Sequence, residues 1–319
     1  MFRRASITVF ISSICVCWAV SAACNRQTAS SNGRPRVALV LKTLNNPFFI
    51  EMQRGAEEAA KTLNVELTVQ AAERETDVDK QMQIIENLIQ AKVDALAVTP
   101  SGSREVVPAI KKANDANIPV VVVDTRLDQK AAADAGVKTV SFVGSDNFRG
   151  GQLIGEYLVK ASGGKAKVAI LEGIAGHETG DSRVRGFREA VAGSPAIRIV
   201  ASQTANWERD QGFNVFQNIL QAQPDVDTVF ACNDMMALGA IEAINAGGKA
   251  GKIRVLGFDA VKDARAALES GAMAATVAQY PDEMGKAAVE MAVKAVRGEA
   301  VRPDVGVRIG LVTRENARQ

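Results

Sequence analysis

From residue 36 to its end, the chain alternates short runs rich in β-branched residues with segments whose apolar residues recur at helical spacing. This alternation is typical of βαβ units, which build a parallel sheet covered by helices on both faces. The runs predict strands at 36–42, 65–70, 95–99, 119–124, 139–143, 166–171, 197–202, 228–231, 254–258, 274–278 and 306–312. The segments between them predict helices at 49–63, 80–91, 104–114, 151–160, 183–191, 209–220, 235–245 and 282–296.

These strands are too many for one typical doubly wound sheet, and they divide near 144–146 into two series. The predicted fold is therefore α/β, with two Rossmann-like lobes whose parallel sheets are flanked by helices. Because the helix predicted at 282–296 is followed by one more strand, we expect the chain to cross between the lobes more than once.

Composition limits the partners that such a fold can bind. The 319 residues are enough for two domains of ordinary size. The 38 basic and 36 acidic residues leave a net charge of +2, and the sequence has no concentrated basic stripe. Since excess positive charge drives binding to nucleic acids and acidic membranes, we expect neither as a partner.

The first 24 residues have the pattern of an export signal. Two arginines precede an apolar stretch at 7–20, and small residues precede Cys24. Cys24 resembles a bacterial lipoprotein processing site, although Ser21 stands where such sites usually carry an aliphatic residue, so acylation and ordinary cleavage both stay open. The polar residues 25–34 read as a leader. The expected location is the periplasm, or the outer face of a bacterial membrane through a lipid anchor.

Polar and aromatic residues follow the predicted strands where their apolar runs end. In an open α/β sheet this edge opens onto the ligand crevice, and ordinary loops would show Gly, Ser and Pro more often. The candidate ligand-binding residues taken from these positions and from two loops of the second series are Lys42, Asn46, Phe48, Phe49, Asp124, Arg183, Trp207, Asn233, Phe258, Asp259 and Gln279.

The chemistry of this set suits a neutral sugar or polyol. Sugar hydroxyls both donate and accept, and the set offers carboxylate acceptors, cationic donors and amides that do both. Its aromatic rings suit the C–H faces of a pyranose. A phosphate ligand is disfavoured, because the first strand is not followed by a Gly-rich turn.

The same residues also have structural interpretations. Asn46 and Asn233 each precede a predicted helix and suit N-caps. The two phenylalanines suit a hydrophobic core. Arg183 suits an exposed helix surface with a carboxylate neighbour, and Asp259 suits a turn.

The sequence has few of the motifs and residue types that enzymes use for catalysis. It has no nucleotide-binding, serine-hydrolase or zinc-protease motif, and we expect no cofactor. Outside the export signal, His177 is the only histidine and Cys232 is the only cysteine. His177 is predicted to be solvent-exposed. Asp124 and Asp259 could form a glycosidase pair. The surrounding donors are expected to hold both carboxylates ionised, which disfavours a general acid, so we predict that the protein is not an enzyme.

Six motifs, in order, together resemble a known family. They are Lys-Thr-Leu-Asn-Asn-Pro-Phe-Phe at 42–49, Glu-Gly-Ile-Ala-Gly at 172–176 followed by Arg183 and Gly-Phe at 186–187, Ala-Asn-Trp-Glu-Arg at 205–209, Ala-Cys-Asn-Asp-Met-Met-Ala-Leu-Gly at 231–239, Gly-Phe-Asp at 257–259 and Val-Ala-Gln-Tyr-Pro at 277–281. From residue 35 to the C-terminus, the chain resembles the periplasmic ribose-binding and allose-binding proteins of bacterial sugar ABC importers.

The resemblance implies roles for most of the candidate residues. The residues implied to hydrogen-bond the sugar are Asn46, Asp124, Arg183, Asn233, Asp259 and Gln279. Phe48 and Phe49 on one lobe and Trp207 on the other are implied to sandwich the sugar ring.

Two positions bear on the identity of the sugar. Lys42 stands where the ribose binders have Ser, as in the allose binders, and Trp207 replaces the ribose binders' Phe; both changes favour a hexose. The ribose binders follow the Asp of the fourth strand with Arg, whereas this chain has Thr125 and then Arg126. The Arg126 guanidinium is therefore expected to point elsewhere. An allose-like hexose, psicose, ribose and a polyol such as an alditol all stay open.

The family architecture implies three crossings between lobes, near 145–146, 279–280 and 306–308, and closure on the ligand by hinge bending. The lobes would comprise 35–145 plus 280–307, and 146–279 plus 308–319. The implied partners are a monosaccharide, a membrane permease and, as a further candidate, a chemotaxis receptor, with the protein acting as a monomer. The rival is a sugar-sensing transcription regulator, which would need an N-terminal helix-turn-helix where this chain has an export signal.

Overall fold

The computed structural model describes residues 33–318. The predicted export signal, Cys24 and all but the end of the predicted leader lie outside the described residues. In chain order the elements are β1 (Arg36–Thr43), α1 (Pro47–Leu63), β2 (Glu66–Ala72), α2 (Val78–Gln90), β3 (Ala95–Val98), α3 (Val107–Asp115), β4 (Val120–Val123), α4 (Gln129–Asp134), β5 (Ser141–Ser145), α5 (Asn147–Ser162), β6 (Lys165–Glu172), α6 (Glu178–Val191), β7 (Ala196–Thr204), α7 (Arg209–Ala222), β8 (Thr228–Ala231), α8 (Asp234–Ala246), β9 (Arg254–Leu256), α9 (Lys262–Ser270), β10 (Ala275–Ala278), α10 (Pro281–Val296), β11 (Asp304–Val307) and β12 (Gly310–Thr313).

The strands form two sheets of six. The first sheet has the order β11-β5-β4-β3-β1-β2, and the second has the order β12-β10-β9-β8-β6-β7. All neighbours are parallel except β12, which runs antiparallel to β10. Strands β3, β4, β8 and β10 are buried along their whole length, as expected for strands covered by helices on both faces. The predicted two-lobed α/β fold is confirmed.

The last predicted strand, 306–312, is wrong as a single element. The run contains parts of two strands: β11 pairs with β5 in the first sheet, and β12 pairs with β10 in the second. An apolar run shows that residues are buried but not which sheet they join. The short helices α4 and α9 were also not predicted.

The chain passes between the two sheets three times: after β5, after β10 and between β11 and β12. Since parallel strands share an edge, the carboxyl ends of β1, β3 and β4 lie together in one lobe, and those of β6, β8 and β9 in the other. No helix within residues 33–318 is long and apolar enough to span a bilayer.

Candidate functional site

The carboxyl ends of the two sheets line a cavity between the lobes. Among the residues predicted from sequence, those that line it are Lys42, Asn46, Phe48, Phe49, Asp124, Arg183, Trp207, Asn233, Asp259 and Gln279. Each of them is less than a tenth exposed. The structure therefore brings together all but Phe258 of the predicted group.

Asn46 both starts helix α1 and faces the cavity. Its Oδ1 accepts a hydrogen bond from the Phe48 backbone N–H at 3.1 Å, and Pro47 takes the first helical position. The Phe48 and Phe49 rings pack edge to face, with centroids 5.2 Å apart. They belong to the hydrophobic core and also line the cavity. The structural and ligand-binding interpretations of these residues are thus compatible.

Asp124 follows β4 and is held by cations. Its Oδ2 lies 3.1 Å from Lys42 Nζ and accepts a hydrogen bond from Thr125 Oγ1, also at 3.1 Å. Burial by itself would raise the pKa of Asp124, but Lys42 and Arg183 outweigh burial, and the pKa falls below its usual value. The expectation that this carboxylate is ionised is confirmed.

Arg183 is buried in the second lobe and does not lie on an exposed helix surface. Its Nε donates to Asn147 Oδ1 at 2.9 Å, and its Nη1 donates to the Cys232 carbonyl at 2.6 Å. The guanidinium lies 3.8 Å from the centroid of the Phe258 ring. These contacts fix the plane of the guanidinium, and the residue lines the cavity.

Phe258 supports this arginine from behind and does not line the cavity. Its ring is fully buried, and an added Cβ on Gly150 would come within 2.4 Å of it. Its position next to Asp259 in sequence made it a candidate, yet its side chain packs into the core of the second lobe.

Trp207 forms the aromatic wall of the second lobe. Its backbone carbonyl accepts a hydrogen bond from Asn233 Nδ2 at 3.0 Å. The same Asn233 caps α8, because its Oδ1 accepts from the Met236 N–H at 2.9 Å. Among the described residues, Trp207 Nε1 and Gln279 Oε1 have no hydrogen-bond partner although both atoms are buried. One unpaired donor and one unpaired acceptor thus belong to residues that line the cavity.

Asp259 has electrostatic surroundings that differ from those of Asp124. Gln279 Nε2 donates to its Oδ1 at 2.6 Å, and Arg183 Nη1 lies 3.8 Å from the same oxygen. Burial nevertheless raises the pKa of Asp259 well above its usual range; Arg183 opposes this rise and the neighbouring Asp234 reinforces it. The surroundings therefore favour the charged form less at Asp259 than at Asp124, because burial and a second carboxyl act against the one nearby cation.

The comparisons with known proteins agree with this geometry. Residues 37–300 match the family model described as the periplasmic binding protein domain. The chain belongs to the periplasmic binding protein family. The predicted resemblance is confirmed.

This periplasmic binding protein is similar over most of its length to sugar receptors. The ribose import binding protein of Salmonella typhimurium is 40% identical over 298 residues, covering 93% of this chain and 97% of that protein. The D-allose-binding periplasmic protein of Escherichia coli is 36% identical over 267 residues, 83% and 86% of the two chains. A solute-binding protein from Actinobacillus succinogenes, solved with bound D-allose, superposes with a TM-score of 0.84 at 43% identity, over 89% of this chain and 99% of that one.

The binding protein's cavity has two further lining residues, Glu75 and Thr179, that sequence reasoning missed. Glu75 lies beyond the end of β2, and Thr179 lies in the first turn of α6. Neither directly follows a strand, so the strand-end pattern could not select them. A buried acidic residue between an apolar strand and an amphipathic helix has no distinctive sequence signal.

Arg126 points away from the cavity, as predicted. Its guanidinium stacks 3.6 Å from the Phe142 ring centroid and donates to Asp304 Oδ2 at 2.7 Å. The intervening Thr125 is fully buried and contacts both Asp124 and the second lobe.

The prediction that His177 is exposed is wrong. The residue is 1% exposed and its ring packs 5.8 Å from Trp207. Burial, together with the charge of Lys42, lowers the pKa of His177 to about 3. The reason is its position in the closed interface: His177 precedes α6 at the point where the second lobe meets the first.

Three contacts join the lobes at this place. They are His177 Nε2 to the Pro100 carbonyl at 3.2 Å, the Glu178 backbone N–H to Ser103 Oγ at 3.1 Å, and Thr125 Oγ1 to Thr179 Oγ1 at 3.0 Å. The start of α6 is therefore part of the surface along which the lobes meet.

Proposed function

We propose that this protein binds a monosaccharide between its lobes and delivers it to the permease of a bacterial ABC sugar importer. The observation that carries the proposal is the convergence of hydrogen-bonding and aromatic side chains from both lobes on one cavity. Such a cavity, apolar on its faces and polar at its edges, suits a sugar ring. The ribose-binding and allose-binding relatives support it.

Among monosaccharides we propose an allose-like hexose, with psicose, ribose and alditols as the alternatives to be compared. Lys42 and Trp207 are the residues on which this preference rests. Because both side chains line the cavity, each is placed to contact the ligand directly.

A thermal-shift screen over pentoses, hexoses, ketoses and alditols tests the proposal. A ligand that binds the native protein raises its stability by RT ln(1 + [L]/Kd), so the best ligand gives the largest shift at equal concentration. Titration calorimetry then gives its Kd. The absence of a shift with every sugar would overturn the proposal.

The variant Asp124→Asn tests whether the cavity is the site. It removes the charge that pairs with Lys42, and we expect at least about tenfold weaker sugar binding. Asp134→Asn is the matched control, since Asp134 lies on exposed α4 and pairs only with Lys130. Equal affinities in the two variants would place the sugar elsewhere.

The family is one of binding proteins for transport, and we propose that the bound sugar leaves unchanged. The raised pKa of Asp259 opposite the ionised Asp124 is the one observation that favours a second candidate, a glycosidase. Incubation with aryl glycosides distinguishes the two: release of the aryl alcohol would establish hydrolysis.

Closure by hinge bending follows from the proposal, with the lobes divided as 35–145 plus 280–307 and 146–279 plus 308–319. We further propose export by residues 1–24 and action as a monomer in the periplasm, with docking to a chemotaxis receptor as a separate possibility to assay. Mass spectrometry of the mature protein tests the N-terminus: acylation adds lipid mass at Cys24, and Cys24→Ser abolishes that addition.

A further inference from the structure

Glu75 reaches the cavity from the turn between β2 and α2. The residue is only 5% exposed. One carboxyl oxygen accepts a hydrogen bond from Asn46 Nδ2 at 3.1 Å, and the other lies 3.8 Å from Lys42 Nζ. Burying a carboxyl is unfavourable unless its oxygens find partners, and this one has an amide, an ammonium group and the cavity itself.

Lys42 contacts two carboxyl groups at once, those of Asp124 and Glu75. A single buried cation between two acids cannot fully compensate both. Burial raises the pKa of Glu75 to about 7, while Lys42 and the hydrogen bond from Asn46 oppose the rise. Near neutral pH the group is therefore present both as carboxylate and as acid, and it can accept or donate a hydrogen bond.

The pair of Lys42 and Glu75 matches the chemistry of one hydroxyl group. An ammonium group can only donate, and a carboxylate can only accept, so a hydroxyl placed between them satisfies one donor and one acceptor. A ligand without that hydroxyl would leave both groups buried with one partner fewer. Sites of this kind reject the shorter analogue strongly, because the unpaired polar groups remain desolvated.

We propose that Glu75 and Lys42 together form the subsite that selects a hexose over a pentose, by binding the hydroxyl that only the longer sugar carries. The inference rests on the proposed sugar-binding function. It adds Glu75 as a specificity determinant to Lys42 and Trp207, the two residues to which the sequence pointed.

The variant Glu75→Gln tests the role of the carboxyl group, because it keeps the shape and the acceptor for Asn46 but removes the acid. We expect the affinity for the best hexose to fall about tenfold or more, and that for ribose to change by less than about threefold. Glu73→Gln is the matched control: Glu73 lies in the same turn with an exposed side chain, and only its backbone carbonyl is used by its neighbours Thr43 and Asn45.

A double-mutant cycle with Lys42→Ser tests whether the two residues act as a unit. We expect the double variant to bind the hexose no more weakly than Lys42→Ser alone, because either change already breaks the pair. If Glu75→Gln folds poorly, Glu75→Asp provides the second measurement, since it keeps the charge and shortens its reach; the same selective loss of hexose affinity is expected.

The outcomes separate this inference from the proposed function. If the unmodified protein binds no sugar, both are overturned. If it binds sugars but prefers a pentose, or if Glu75→Gln weakens hexose and pentose equally, the selector role of Glu75 is wrong and the sugar-binding function stands. If Glu75 has only a structural role, Glu75→Gln should weaken hexose and pentose binding equally and should also lower the thermal transition measured without sugar.

Discussion

Three cavity residues have backbone conformations that non-glycine residues rarely adopt. The φ angles of Asp124, Trp207 and Asp259 are 62°, 68° and 120°. Each such conformation costs about 1–3 kcal/mol, and it persists where the surrounding structure enforces it. All three residues stand where a strand or its following loop turns at the cavity. Local strain is thus concentrated where the candidate ligand-binding side chains are positioned.

The position of Trp207 depends on Gly173. A Cβ on Gly173 would lie 2.0 Å from Trp207 Cζ2, so the indole packs directly against the backbone of the loop after β6. We predict that Gly173→Ala displaces the ring and weakens sugar binding by at least about tenfold, because a methyl group in a packed site forces the neighbour to move. Titration calorimetry measures the loss.

The control for this prediction is Gly193→Ala, where an added Cβ would meet no heavy atom within 4 Å. Its sugar affinity should match that of the unmodified protein. If Gly173→Ala also bound sugar with unchanged affinity, the indole would not be the second aromatic wall.

Sequence reasoning found the residues at the carboxyl ends of buried strands, such as Lys42 and Asp124, because strand direction alone places them at the cavity. It failed for residues whose placement depends on tertiary structure. Glu75 and His177 lie in turns, and only the packing of one lobe against the other decides that they are buried. Phe258 shows the opposite failure. It does lie next to the cavity-lining residue Asp259, but its side chain points into the core and not into the cavity.

The buried strands and most helices were predictable because each carries its own periodic pattern. The approach of one helix to another was not. Helices α1 and α10 come into backbone contact through two glycines: an added Cβ on Gly55 would lie 2.0 Å from the Asp282 carbonyl oxygen, and one on Gly285 would lie 1.9 Å from the Met52 carbonyl oxygen. No periodic pattern in either helix shows which turn meets its neighbour.

We predict that Gly285→Ala lowers the free energy of unfolding by about 1–3 kcal/mol, because the methyl group forces two packed helices apart. Sugar affinity should change less than stability, since Gly285 does not line the cavity. Chemical denaturation and calorimetry check the two parts. A variant as stable as the unmodified protein would show that the helices separate at little cost.

We predict that the start of α6 makes closure of the lobes sensitive to pH. His177 has a pKa of about 3 in the closed arrangement, against about 6.5 for a histidine in water. When the lobes separate and the ring is hydrated, it takes up a proton below about pH 6.5, whereas the closed form does not until about pH 3. Closure is therefore unhindered by this group above pH 6.5 and becomes progressively less favourable as the pH falls below it.

We predict that sugar affinity drops about tenfold more between pH 7.5 and pH 5 in the unmodified protein than in His177→Gln, whose amide can still donate to Pro100. The comparison with the variant is needed because Glu75 and Asp259 have raised pKa values in this structure. These two groups therefore favour closure as the pH falls, which is opposite to the effect of His177. Calorimetric titrations at the two pH values supply the measurement. Parallel pH profiles of the two proteins would show that His177 does not cause the loss of affinity.

At the scale of the whole molecule, the interlobe hydrogen bonds and the sugar would act on the same equilibrium. A ligand that contacts both lobes stabilises the closed form by its differential affinity for that form. We predict that saturating sugar reduces the radius of gyration measured by small-angle X-ray scattering, and that Asp124→Asn requires more sugar for the same change. An unchanged radius at saturation would mean that binding does not move the lobes.

The third passage between the lobes has a consequence for how the molecule is made. Strands β11 and β12 sit at the edges of different sheets, yet they are separated by only Arg308 and Ile309. During synthesis, neither sheet can be completed until the segment that carries both strands has emerged. Deleting residues 304–318 would remove an edge strand from both lobes in a single step. The completion of the two lobes is thus tied to one short segment that both of them share.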